Sequence, residues 1–215
     1  MDDLDAARKA APGEDDGAHL VSYEKHERRE RGEERGACEG REEDDCDEHG
    51  DFDDFVTERL VLHPLTLAEA RRVVSGKPGP DDHWAPGYPA PMDVEGAADF
   101  VNACLIKGDP QPFGAYEIRR RSDGLAIGGL GFNRPPDEEG TTTIGYALVP
   151  SARGRGYATE ALRALLAFAR ARGLSCVKGD ADLANLASQR VMRAAGMRWS
   201  GEDERVRYYE TDWEE

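Results

Sequence analysis

No run in this 215-residue sequence approaches the roughly 18 apolar residues that a membrane-spanning helix needs. A helical membrane protein is therefore excluded, and no membrane partner is expected. The start, Met1-Asp2-Asp3-Leu4-Asp5, has neither the basic cluster nor the apolar stretch of a secretory leader. Cysteine is scarce: Cys38, Cys46, Cys104 and Cys176 show no disulfide-scaffold spacing, which points to a reduced, cytoplasmic protein. Positive charge is also short, with 28 Lys and Arg against 44 Asp and Glu and a net charge of −16. That balance argues against nucleic-acid binding. Cys38 and Cys46, with His26 and His49, lie in a C-x7-C arrangement that is not a usual zinc pair, so no metal is expected.

The deficit is localised. Residues 1–54 hold 21 acidic against 8 basic residues, and residues 55–215 hold 23 against 20. Before Phe52 the only Ile, Leu, Val or Phe residues are Leu4, Leu20 and Val21. Such a segment cannot bury enough apolar surface to offset chain entropy. Residues 1–54 are expected to be an acidic disordered tail, with at most a transient helix over 24–35. Residues 55–215 are one domain's worth of chain.

Within that domain, residues 57–65 read as a strand with Leu60, Leu62 and Pro64 on one side. Thr66 and Glu69 form a capping-box signature for a helix that Gly76 ends. A long loop, 77–92, carries Trp84 and Tyr88, which either face a substrate or pin the loop to the body. Asp93 is the expected cap of a helix over 94–107. Residues 112–121 and 125–132 read as a hairpin about Ser122-Asp123-Gly124, with Gly128, Gly129 and Gly131 marking a bulge or a close approach. A strand over 141–149, with Ile144, Tyr146 and Leu148 on one face, precedes a helix from Tyr157, a short strand over 174–180, a helix over 185–195 and a final antiparallel pair. This order predicts an α+β fold with a mixed, mostly antiparallel central sheet flanked by helices. The strand after the long helix lies parallel to 141–149 through a right-handed crossover.

The centre of the pattern is Arg153-Gly154-Arg155-Gly156-Tyr157-Ala158, between the strand over 141–149 and the helix from Tyr157. A glycine-rich turn entering a helix offers free amides at a positive helix end, which suits an anion. Arg153 and Arg155 add forked donors. No Lys-Ser or Lys-Thr follows, so the turn is not a P-loop. Thr159 stands where a dinucleotide fingerprint wants its third glycine. The hexapeptide alone also fits a plain turn with solvated arginines.

Arg153, Gly156 and Ala158 fit the pattern Arg/Gln-x-x-Gly-x-Gly/Ala. With them the chain resembles the GCN5-related N-acetyltransferases (GNAT), whose acyl-CoA N-acyltransferase fold holds the pyrophosphate of acetyl-CoA on this turn. A second stretch, Asn185-Leu186-Ala187-Ser188 followed by Gly196-Met197, resembles the family's Asn-x-x-Ser and Gly-Phe pattern, with Met197 replacing the aromatic. The resemblance covers residues 57–213. Thr57-Glu58-Arg59-Leu60 and the Trp/Tyr loop resemble the RimJ/RimL-like branch that acetylates ribosomal-protein N-termini.

The resemblance implies acetyl transfer from acetyl-CoA to a primary amine by direct attack in a ternary complex. The backbone of Ala147, Leu148 and Val149 would take the pantetheine arm like an added strand. Arg153, Gly154, Arg155, Gly156, Tyr157 and Ala158 would hold the pyrophosphate. Asn185 would contact the cofactor arm, or cap its helix, or do both. Met192 stands where many members place a tyrosine and cannot give a proton; Ser188 is the candidate acid for the leaving thiolate. Trp84 and Tyr88 are the candidate substrate residues. Glu117, Glu138 and Asp180 lie near the expected cleft mouth, and no base stands out. The amine is a protein N-terminus or a small molecule, and a homodimer is left open. Two other readings stand beside this one: a non-catalytic acyl-CoA-binding module, and an acidic tail that docks on a basic surface.

Overall fold

Residues 60–64 alternate buried Leu60, Leu62 and Pro64 with half-buried Val61 and His63, the pattern of a strand with one face in the core. In the computed structural model, which describes residues 52–213, they form β2, Leu60–Pro64, after a two-residue strand β1, Phe55–Val56. Helix α1, Leu67–Ser75, begins at Thr66, whose side chain accepts the Glu69 amide while Glu69 accepts the Thr66 amide, and it ends at Gly76 in the left-handed region. Helix α2, Pro91–Lys107, starts three residues earlier than the sequence suggests. Ala90 is its N-cap, and Asp93 sits inside the first turn with its carboxylate on the Ala90 amide. Proline at the first helical position costs no hydrogen bond, which lets the helix start there. The acidic segment through residue 51, the transient helix and the C-x7-C pair lie outside the described residues.

The remaining strands are β3 (Ala115–Arg120), β4 (Ala126–Phe132), β5 (Thr141–Leu148), β6 (Cys176–Asp182), β7 (Met197–Glu202) and β8 (Val206–Thr211). Among the described residues they form one sheet in the order β1-β2-β3-β4-β5-β6-β8-β7, in which β5 and β6 are parallel and the other neighbours antiparallel. Helix α3, Tyr157–Ala171, makes the crossover between these two, and α4, Leu186–Ala195, joins β6 to β7. This is the mixed, mostly antiparallel sheet with flanking helices that the element order predicts. The last two strands are inverted in space, because β8 pairs with β6 and leaves β7 at the edge.

The two faces of the sheet differ. One row, Tyr116 opposite Leu130 opposite Tyr146, faces α3. There Phe168 of α3 stands 4.6 Å from Phe55 and 6.1 Å from Phe113, ring to ring, and Leu162 and Leu165 are fully buried. The alternate row, Glu117 opposite Gly129 opposite Ala147, faces α2. The glycines of β4 are there for strand approach: a Cβ on Gly128 would stand 2.1 Å from the Ala147 carbonyl oxygen, and one on Gly131 would stand 2.7 Å from that of Gly114.

Candidate active site

The sheet is not closed between β5 and β6. Their parallel pairing runs only from Thr141–Cys176 to Thr143–Lys178, and then the strands part. Beyond that point β5 continues through Gly145, Tyr146, Ala147 and Leu148 with β4 as its one partner. In an antiparallel ladder, alternate residues turn their amide and carbonyl to opposite edges. Thr143 accepts from Asn133, and Val149 donates to the Ile127 carbonyl at 2.9 Å, so the odd positions serve β4. Tyr146 and Leu148 therefore direct their backbone groups into the gap. Of the three residues expected to pair with a pantetheine arm, Leu148 has that orientation, while Ala147 and Val149 are turned to β4.

The anion turn lies at the end of β5. A 3₁₀ turn, Pro150–Ala152, leads to Gly154 and Gly156, with φ of 69° and 79°, so the chain enters α3 through two left-handed residues. Gly156 is the N-cap and makes no side-chain cap. Glu160 is the first residue to donate back, to the Gly156 carbonyl at 3.0 Å, so the amides of Tyr157, Ala158 and Thr159 lie at the helix end. Gly154, Arg155 and Gly156 are exposed. The Arg153 guanidinium folds back, with Nε donating to the Leu148 carbonyl at 3.0 Å, and so ties the turn to the strand end. A second tie comes from the chain before β2. Glu160 accepts from the Thr57 hydroxyl at 2.6 Å, the Arg59 amide at 2.8 Å and Arg59 Nε at 2.7 Å, while Arg59 Nη1 donates to the Arg155 carbonyl at 2.9 Å. Burial opposes ionisation of Glu160, but these donors outweigh it and hold its carboxyl below the usual range. Arg59 also stands 4.7 Å over the Tyr157 ring.

On the α3 and α4 side of the gap, Asn185 caps α4 by accepting the Ser188 amide at 3.0 Å. Its Oδ1 thus serves the cap. Ser188 is 2% exposed, and its hydroxyl lies 2.7 Å from the Tyr146 hydroxyl, which also donates to the Ser188 carbonyl at 3.1 Å. Met192, one turn on, is fully buried, with its sulfur beside Gly179 of β6. Burial pushes the Tyr146 phenol up.

On the α2 side a cavity of about 150 Å³ includes Tyr88, Asp93, Gly129, Tyr146, Ala147 and Asp180 in its lining. Gly179 faces Met192 and Ile144, so the next residue, Asp180, points to the opposite face, toward α2. Burial, followed by the charges of Asp182 and Asp203, pushes its carboxyl up to about 6. Asp93 reaches about 6 through burial, against the opposing bonds from Ala90 and Gly129 and with help from Glu117. Asp93 Oδ1 is sealed against Gly129 without a hydrogen bond of full geometry.

Glu117 is buried with Arg119 Nε at 2.6 Å, which commits it to an ion pair. Glu138 is exposed in the loop before β5. Tyr88 lines the cavity, whereas Trp84 packs edge-on behind it at 5.5 Å and its strand-like backbone docks on Ala126. The loop is thus both pinned, by Trp84, and open to the cavity, by Tyr88. Sequence reasoning passed over two residues here. It placed Tyr146 among the apolar residues of a strand face, and it took Asp93 for a cap.

An open strand edge, an amide-rich helix entry at its end and a cavity on one side together define a cleft for an extended, phosphate-bearing ligand. Residues 59–198 match the acetyltransferase (GNAT) domain, and the chain belongs to that family. An uncharacterized N-acetyltransferase of Bacillus subtilis, YjdG, is 30% identical over 102 residues, which are 46% of this chain and 61% of that protein. Among solved structures, an acetyltransferase of Agrobacterium tumefaciens is similar at a TM-score of 0.54 and 24% identity, over 80% of this chain and 99% of that one. RimL, a ribosomal-protein α-N-acetyltransferase solved with coenzyme A, is similar at 0.52 and 16% identity, over 72% of this chain and 94% of its own. Both solved structures share the fold of this chain. Among the described residues no group of side chains is arranged to hold a metal ion, and no helix is long and apolar enough to cross a membrane.

Proposed function

We propose that this protein transfers the acetyl group of acetyl-CoA to a primary amine by direct attack while both are bound. The observation that carries this reading is the parting of β5 from β6 along the strand that leads into the Gly154–Gly156 turn. A pantetheine arm laid along the gap meets the backbone of Tyr146 and Leu148, and its pyrophosphate meets the amides of residues 154–159 and the exposed Arg155. The thioester then lies at the cavity, between the hydroxyls of Tyr146 and Ser188 on one face and the carboxylates of Asp93 and Asp180 on the other. Holding the two reactants together supplies most of the rate.

The attacking nitrogen must be neutral. Asp180, at the gap mouth with a carboxyl near 6, is the base in this reading. An α-amino group titrates near 7.7–8.0 and a lysine near 10.4, so neutralising a lysine at pH 7 costs about 3–4 kcal/mol more. A base near 6 therefore suits a protein N-terminal α-amino group, or a small amine of similar basicity.

Turnover of acetyl-CoA should be assayed against a panel of N-terminal peptides, lysine-only peptides and small amines, with Asp180→Asn beside the wild type. Acetylation of the low-pKa amines, with a rate that rises through about pH 6 and an acid limb missing in the variant, is the expected result. Efficient acetylation of lysines alone contradicts the acceptor class. Binding of acetyl-CoA with no turnover on any amine favours the non-catalytic module, for which the buried Met192 is the supporting observation.

A further inference from the structure

Resting on the acetyl-transfer reading, we propose that Tyr146 gives the proton to the leaving thiolate and that Ser188 is its positioning residue. Tyr146 belongs to β5, and its hydroxyl reaches Ser188 at the start of α4, the helix that follows β6. Its ring therefore reaches from the strand on one side of the gap to the helix that follows the strand on the other, on the α3 face of the sheet. Tyr146 lines the cavity, and Ser188 is not among the lining residues.

The hydrogen bonds assign the protons. The phenol has one hydrogen, and it points at the Ser188 carbonyl at 3.1 Å. The contact at 2.7 Å between the two hydroxyls is then filled by the serine, whose O–H donates to the phenol oxygen. Ser188 is held for this by its own amide, which is bound to Asn185 Oδ1. A phenol is a much stronger acid than an alkyl hydroxyl, although burial holds this one above its ordinary value. Met192, buried one turn further along α4, has no proton to offer.

The step balances as follows. The neutral amine attacks the thioester carbonyl, the C–N bond forms and the C–S bond breaks. The departing sulfur takes the Tyr146 proton and leaves as the thiol. The phenolate is held by the Ser188 O–H until water returns its proton. The new amide nitrogen loses its extra proton to the base on the α2 side. Burial keeps the phenol protonated until the negative sulfur forms beside it.

The test compares Tyr146→Phe, Ser188→Ala and the double variant in the full chain, with acetyl-CoA and the amine that the wild type turns over fastest. Tyr146→Phe should lose about 10²-fold in kcat, with the acetyl-CoA Kd and thermal midpoint near wild type. Ser188→Ala should lose less, about 10-fold, in kcat and not in KM for acetyl-CoA. Ser188→Thr should restore most of it. The double variant should be no slower than Tyr146→Phe. Wild-type kcat in Tyr146→Phe, or a Ser188→Ala defect larger than that of Tyr146→Phe, overturns the assignment and returns the proton to the serine. A wild type that binds no acetyl-CoA sinks the underlying reading as well, and calorimetry shows that separately from any kcat change.

Discussion

At Asp93 a capping contact and a burial cost meet in one side chain. Oδ2 serves the Ala90 amide at 2.8 Å, while the carboxyl is held near 6 chiefly by burial. The folded value is raised above the unfolded one near 3.8, so the favourable term is complete below about pH 4 and is lost as pH rises through 6. The full cost of ionising Asp93 above that window is about 3 kcal/mol. Asp93→Asn keeps the acceptor for Ala90 and removes the charge. Its thermal midpoint should equal the wild type's near pH 4 and exceed it at pH 7–8; equal midpoints throughout would contradict the burial argument. Residue roles at this site were only partly legible in the sequence. Thr66 and Glu69 are local, three residues apart, and were read correctly. Asp93 was taken for a cap because a proline two residues earlier hides the true helix start. Tyr146 looked like one more apolar position in a strand, since its partner Ser188 is 42 residues away. Ser188 itself was picked out by motif, and its burial against a phenol has no signal in the sequence.

The turn into α3 is an element held from outside. Glu160 lies in the first turn of the helix, yet its partners Thr57 and Arg59 come from the far end of the domain sequence. A single exposed ion pair adds little to stability. Here the same carboxylate also takes a hydroxyl and an amide, and Arg59 reaches the Arg155 carbonyl, so the network fixes the shape of the turn. Glu160→Ala should weaken acetyl-CoA binding several-fold in calorimetry while moving the thermal midpoint by only a few degrees. Unchanged affinity would show that the turn keeps its shape alone. The capping box of α1 gives the opposite prediction: Thr66→Ala should cost about 1 kcal/mol in denaturant unfolding without touching affinity. Elements were the most legible scale, because glycines at 76 and 196 and caps at 66 and 185 mark helix ends within a few residues. The spatial swap of β7 and β8 was not legible, since either strand of a hairpin can pair with β6.

Over the described residues as a whole, the fold is a sheet of eight strands that opens between β5 and β6. Approach of β4 to β5 depends on Gly128, where a Cβ would meet the Ala147 carbonyl at 2.1 Å. Gly128→Ala should cost about 1–3 kcal/mol and shift the strand that carries Tyr146 and Leu148. A wild-type unfolding midpoint would show that β5 tolerates the displacement. The topology could be expected from the alternation of strand and helix patterns, but the length of the parallel pairing could not. Three register pairs followed by a gap result from tertiary packing between distant segments, which no local pattern in the sequence encodes. The central claim is that this gap and the Gly154–Gly156 turn form one binding site for acetyl-CoA. Calorimetric titration of acetyl-CoA into the wild type and into Gly156→Glu tests it most directly. The account predicts micromolar binding to the wild type and its loss in the variant, where a side chain is forced into the left-handed region and a negative charge faces the phosphates. Equal binding by both proteins would place the cofactor elsewhere, and no binding by the wild type would contradict the account.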